Sequence, residues 1–135
     1  MTPKVDLFIF DLAGTTIVDD DRVLRSFFAT AQAFDLHVEV TALQSRMGWH
    51  KTKVFASLLE ERGLDTTTAP AMAERFELEF AALAAREPLR ETNRAGQVLA
   101  ALESAGVRGA FNTGFSRTTT DVVLDAMGWQ RTLSV

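Results

Sequence analysis

The chain has 135 residues, 47% of them hydrophobic, a net charge of −4 and no cysteine. That length suits one domain with at most a small insertion, and the apolar share is enough for a core and too high for a disordered chain. The composition excludes a disulfide framework, a thiol nucleophile and a thiolate zinc site, and without any basic run it argues against nucleic acid as a partner. No apolar run approaches the ~20 residues of a membrane span, and Met-Thr-Pro-Lys-Val-Asp lacks the pattern of a signal peptide, so the reading is a cytoplasmic protein with no membrane partner.

Residues 5–10 read as a first strand, expected to be buried on both faces because Leu7-Phe8-Ile9-Phe10 run on without polar alternation. The strand ends on a carboxylate, Asp11, followed by a loop over 11–19 that holds Ala13, Gly14, Thr15 and Thr16. The acidic run Asp19-Asp20-Asp21 is expected to cap the next helix. Residues 21–35 have helical periodicity, with Val23, Leu24, Phe27, Phe28, Ala31 and Phe34 on one face. Thr41 is expected to cap a short helix over 42–47 that stops at Gly48. A third helix spans 50–62, with Val54, Phe55, Leu58 and Leu59 inward and Gly63 as its stop. The stretch 65–68 reads as a loop. Pro70 sits in the first turn of a fourth helix over 70–86, whose apolar positions include Met72, Phe76, Phe80 and Leu83.

Pro88 breaks the pattern. Thr92 is expected to begin a fifth helix over 92–105, with Val98, Leu99 and Leu102 inward and Gly106 after it. Residues 107–112 read as a second strand, 117–127 as a sixth helix, and Leu133-Ser134-Val135 as the start of another strand. The fold class is therefore α/β. Strands joined through a helix are most simply parallel neighbours, and about 70 residues of helical pattern are inserted after the first strand.

Two strand ends deliver polar groups to one sheet edge, Asp11 from the first strand and Thr113 from the second. A carboxylate and a hydroxyl so placed can share a phosphate-like ligand, the carboxylate attacking while the hydroxyl and backbone N–H groups hold the oxygens. Lys51 and Lys53 stand two positions apart, and either could face inward. His50 reads as a surface or capping residue, Trp49 as packing or a pocket wall, and Arg117 as a phosphate contact or an exposed first-turn arginine.

The segments Asp11-Leu12-Ala13-Gly14-Thr15-Thr16 and Phe111-Asn112-Thr113-Gly114 resemble the first two motifs of the haloacid dehalogenase superfamily. The resemblance covers essentially the whole chain. It implies a partial Rossmann-like parallel core over 1–18 and 88–135 with a helical-bundle cap domain inserted over 19–87. It also implies an aspartyl nucleophile, Asp11, working with Mg²⁺ held by the Asp11 carboxylate and the backbone carbonyl of Ala13. Ordinary phosphatases of the superfamily carry an acidic residue at the position of Ala13, and a methyl group cannot transfer a proton. Ala13 and Met47-Gly48-Trp49-His50-Lys51 are similar to the phosphonatase branch, phosphonoacetaldehyde hydrolase, in which a cap lysine forms a Schiff base. That maps the catalytic set onto Asp11, Lys51 and Thr113. Substrate contacts fall to Gly14, Thr15, Met47, Gly114 and Arg117, and the substrate is a small phosphonate or phosphate. The chain departs from the branch at Val54, where a histidine is usual, and at Phe115, where a tyrosine is usual.

The superfamily also has a third motif, a Lys or Arg, and a fourth, an acidic pair. The eight residues after Met127 contain no acid. The expectation is thus a C-terminally truncated core, either an enzyme completed elsewhere or an inactive remnant. An open sheet edge or the cap could then serve a homodimer.

Overall fold

The computed structural model describes residues 4–130. They divide into two compact units, an α/β unit of residues 4–19, 88–113 and 120–130, and a helical unit of residues 20–87 and 114–119. Arg131 and the strand expected over 133–135 lie outside the described residues.

In the α/β unit, β1 (Leu7–Asp11) and β2 (Arg108–Asn112) pair in parallel, with Leu7 opposite Arg108 and Asp11 opposite Asn112. Helix α5 (Ala95–Ser104) leads into β2, the connection expected for parallel neighbours. Phe111 lies between Phe10 at 6.5 Å and Trp129 at 5.9 Å, and Leu12, Ile17, Leu99 and Val123 are buried.

Burial of the first strand on both faces is not observed. Leu7, Phe8 and Ile9 are 43%, 42% and 62% exposed, because among the described residues β1 has β2 as its one neighbour in a two-stranded sheet. The helix expected from Thr92 begins at Ala95. Residues 90–92 are committed instead to the loop after β1: Val18 N–H donates to the Arg90 carbonyl at 2.8 Å, and Thr92 N–H to the Thr16 carbonyl at 3.0 Å. Asn93 and Arg94 then turn through left-handed conformations, and the Glu91 carboxylate accepts from Gly96 N–H at 2.7 Å near the start of α5. Val98, expected inward, is 48% exposed.

The helical unit holds α1 (Arg22–Ala33), α2 (Val40–Gln44), α3 (Lys51–Glu61), a 3-10 turn (Thr66–Thr68) and α4 (Ala69–Arg86). Val23, Phe27 and Ala31 recur at helical spacing, which buries one face of α1. Phe27 packs on Phe76 at 4.7 Å and Phe55 at 5.4 Å, and Phe80 lies 6.3 Å from Phe76. The buried hydroxyls of Ser26 and Thr30 each donate to the carbonyl four residues back at 2.8 Å, so they add no unsatisfied polarity to this core.

Four expectations change here. Asp21 occupies the cap position of α1, but it and Asp20 are left-handed, at φ 55° and 48°, and the Asp21 side chain makes no capping bond. Thr41 lies within α2, which starts at Val40 and ends at Gln44, with Leu43 as its buried anchor. Phe34 stands beyond the last turn of α1 and is 39% exposed. The stretch read as a loop contains the 3-10 turn, begun by the Asp65 carboxylate. It accepts from Thr67 N–H at 2.9 Å and from the Thr67 hydroxyl at 2.6 Å, bonds that hold Asp65 below the usual carboxylate range.

The ends of this bundle are tied together. The buried Arg22 donates through Nη2 to the Glu87 carbonyl at 2.8 Å, and Arg25 grips the Glu87 carboxylate with two bonds of 2.8 and 2.6 Å. That pairing raises the Arg25 guanidinium and lowers the Glu87 carboxyl from their ordinary values.

Candidate active site

The α/β unit supplies Asp11 at the end of β1, opposite Asn112, with Thr113 following β2. The loop after Asp11 coils around one acceptor. The Leu12 carbonyl takes bonds from Thr16 and Ile17 N–H, both at 3.0 Å, and from the Thr16 hydroxyl at 3.1 Å. Gly14 permits the turn: its φ is +79°, a conformation L side chains rarely adopt, and nothing crowds the position of an added Cβ. The Thr15 hydroxyl donates to Asp11 Oδ2 at 3.3 Å and the Thr16 hydroxyl to the Asp11 carbonyl at 3.1 Å. The carboxylate is thus exposed and oriented, as a nucleophile toward a bound anion requires.

A cavity of about 200 Å³ opens beside this loop, lined by Phe10, Thr15, Thr16, Thr92, Asn93, Ala95, Val98 and Leu99. Asp11 does not line it, but Thr15, whose hydroxyl donates to the Asp11 carboxylate, does.

The structure gathers no group of three or more His, Cys, Asp or Glu able to hold a metal ion among the described residues. The α/β unit does offer the exposed Asp11 carboxylate and the Ala13 carbonyl. These are hard oxygen donors of the kind Mg²⁺ takes alongside several waters.

The helical unit supplies Lys51, the first residue of α3, only 5% exposed. Its Nζ lies 5.3 Å from each of the ring centres of Phe27, Phe76 and Phe115, and 3.5 Å from the Trp49 carbonyl. The inward lysine is therefore Lys51. Lys53 is exposed and sits 4.8 Å over the Trp49 ring. The three ring faces around the amine can attract a cation. His50 occupies the cap position of α3 without a side-chain capping bond, and Met47 is exposed.

Residues 114–119 group with this unit. Gly114 lies against the lysine loop, where an added Cβ would come within 2.6 Å of the Gly48 carbonyl oxygen and 2.8 Å of that of Trp49. Phe115 completes the aromatic cluster, 4.9 Å from Phe80. Arg117, also here, starts α6 (Arg117–Met127) and is exposed. The two sequence segments singled out, Met47–Lys51 and Gly114–Arg117, are thus brought into contact at Gly114 and Phe115.

Sequence reasoning missed Arg46. It is 8% exposed and donates to the Ala42 carbonyl at 2.6 Å, to Ser57 Oγ at 3.1 Å and to the Glu61 carboxylate, while its guanidinium lies 5.9 Å from the Trp49 ring. It anchors the loop that carries Lys51. An arginine one residue before that loop gives no periodic signal, so only the fold reveals it.

The sequence matches the model of haloacid dehalogenase-like hydrolases over residues 5–135. The chain belongs to this family. Solved structures agree in fold. CbbY from Rhodobacter sphaeroides, in complex with phosphate, superposes with a TM-score of 0.80 at 17% identity, over 96% of this chain and 61% of that one. A hydrolase from Pseudomonas syringae gives 0.79 at 18%, over 92% and 56%. A predicted phosphoglycolate phosphatase from Haemophilus somnus gives 0.68 at 17%, over 99% and 62%. The chain thus spans about three fifths of the length of these relatives. No curated protein sequence matches it. No helix among the described residues is long and apolar enough to cross a membrane.

Proposed function

We propose that the protein to which this chain belongs is a phosphonatase-like hydrolase of a small phosphonate, with Asp11 as nucleophile and Lys51 as an amine that captures a carbonyl. The observation that carries this reading is the buried Lys51 amine, ringed by Phe27, Phe76 and Phe115 and 3.5 Å from the Trp49 carbonyl. A lysine that only solvates a helix start has no reason to be so enclosed.

The Lys51 amine condenses with the substrate aldehyde to a protonated imine, releasing water. Asp11 Oδ then attacks phosphorus. The O–P bond forms, the P–C bond breaks, and its electron pair passes into the imine to give an enamine. The leaving carbon therefore needs no acid at position 13, where Ala13 has none to give. Protonation and hydrolysis of the enamine return the aldehyde and the amine, and water cleaves the aspartyl phosphate to phosphate and Asp11. Thr113 and the N–H groups near it hold phosphoryl oxygens. Asp11 and the Ala13 carbonyl would hold Mg²⁺, whose charge would offset that of the phosphoryl group when bound. The protein is proposed to work in the cytoplasm.

Borohydride reduction in the presence of phosphonoacetaldehyde and Mg²⁺ tests this. The expected result is a covalent adduct on Lys51, absent in Lys51→Met and present in Lys53→Met. Trapping on neither lysine would remove the imine step.

A second reading is simple phosphate ester hydrolysis. It is favoured by Val54 and Phe115, which replace two polar groups of the phosphonatase pattern with apolar ones buried at 0% and 8% exposure. Under that reading Asp11→Asn abolishes phosphate release from small phosphate esters, whereas Lys51→Met retains it.

A further inference from the structure

Motif reasoning assigns Gly114 to the substrate, but its surroundings give it another task. Its backbone lies so close to the peptide of Gly48 and Trp49 that a methyl group would stand 2.6 Å and 2.8 Å from their carbonyl oxygens. Those obstacles are backbone atoms, which cannot rotate aside as a flexible side chain would. The Trp49 carbonyl is also the acceptor 3.5 Å from the Lys51 amine. The next residue, Phe115, presents a ring 5.3 Å from the same nitrogen. One step of the chain, Gly114-Phe115, therefore sets both an acceptor and a wall of the lysine cage.

The far side of the loop is fixed. Trp49 N–H donates to the Arg46 carbonyl at 3.1 Å, and the buried Arg46 guanidinium lies beside the Trp49 ring. A side chain at position 114 cannot be accommodated by sliding the loop away without breaking that anchor. The displacement falls on the Gly48 and Trp49 carbonyls.

We propose that Gly114 is a positioning residue for the Lys51 amine, acting through the Trp49 carbonyl. This rests on the reading of Lys51 as the working amine. Gly114 need not touch substrate to be required. It is needed because it alone lets the backbone at position 114 lie against the lysine loop.

The test uses the native chain and Gly114→Ala, with lysine labelled for Cε–Nζ correlation spectra. The sequence has three lysines, Lys4, Lys51 and Lys53, so each signal can be assigned. The expected result is a Lys51 titration midpoint that moves by about half a pH unit or more, a modest hydrogen-bond energy in these terms, with Lys4 and Lys53 unmoved. A lower melting temperature with an unchanged Lys51 curve would overturn the proposal, since that is what a purely structural glycine gives. If Gly114→Ala does not fold, the native protein carries the test. The Trp49 carbonyl and Gly114 amide resonances must then follow the Lys51 midpoint, and a Gly114 amide flat through that range overturns the coupling. No substrate is used, so absence of borohydride trapping leaves this result standing. Trapping with an unmoved Lys51 curve removes the positioning role alone.

Discussion

The two units solve the burial problem differently. In the helical unit four phenyl rings, Phe27, Phe55, Phe76 and Phe80, are no more than 1% exposed, and buried hydroxyls and guanidiniums mostly find partners at hand. In the α/β unit the first strand has equally apolar residues and leaves them in solvent, with Ile9 62% exposed. Apolar content alone therefore does not bury a segment. A helix needs one complementary face, whereas a parallel strand needs neighbours on its edges and layers on both sides. The difference teaches that the fully buried aromatic core belongs to the helical unit, while β1 serves to place Asp11 at its end.

The strongest way to break that contrast is Phe76→Ala. Phe76 touches Phe27 and Phe80 and walls the lysine cage. Its truncation should cost about 3–5 kcal/mol, the range for a fully buried aromatic, read as a lower midpoint in urea unfolding followed by helical circular dichroism. An effect under about 1 kcal/mol would mean that the bundle is not the stable part.

Arg46→Met comes next. It removes the bonds to Ala42, Ser57 and Glu61 but keeps an apolar stem. A loss of about 1–3 kcal/mol is expected, with Trp49 fluorescence shifting as its cation partner is lost. Intact stability with an unchanged Trp49 signal would show that the loop is held by other contacts.

The Arg25–Glu87 pair gives a smaller, pH-dependent effect. Glu87 is lowered in the folded chain, so its contribution is full above the ordinary carboxylate pKa and is lost as pH falls through the lower folded value. Glu87→Gln should therefore melt below the parent at neutral pH, the two curves converging under roughly pH 4. Curves that stay apart in acid would mean that the charged pairing with Arg25 is not the source of the difference.

The unequal legibility of the sequence follows the same division. Helical spacing alone places Val54, Phe55, Met72, Phe76 and Phe80 inward, since such a face is a local property of a dozen residues. The Asp11 turn is legible because Gly14 and the two threonines are adjacent to it. The lysine cage is not, because Phe115 reaches Lys51 and Phe80 across long sequence separations. The left-handed starts at Asp20-Asp21 and Asn93-Arg94 are hidden too, because Asp and Asn tolerate that conformation without requiring it, and where the chain must go next decides which of them adopts it. The exposure of β1 depends on how many strands flank it, a count that no pattern within residues 5–10 contains.

The smallest expected effect tests that last point. Ile9→Thr keeps a β-branched strand former but removes apolar surface that now meets water. Its unfolding midpoint should stay within about 0.5 kcal/mol of the parent, as for an exposed site. An open apolar edge is also a template for pairing with another chain, so light scattering at high concentration should fall with Ile9→Thr even though stability does not. The same substitution would cost several-fold more if β1 were enclosed on both faces, because a hydroxyl would then be buried without a partner. A loss above about 2 kcal/mol would therefore mean that, in solution, Ile9 is covered, and the comparison between the two units would have to be drawn again with the sheet as a second core.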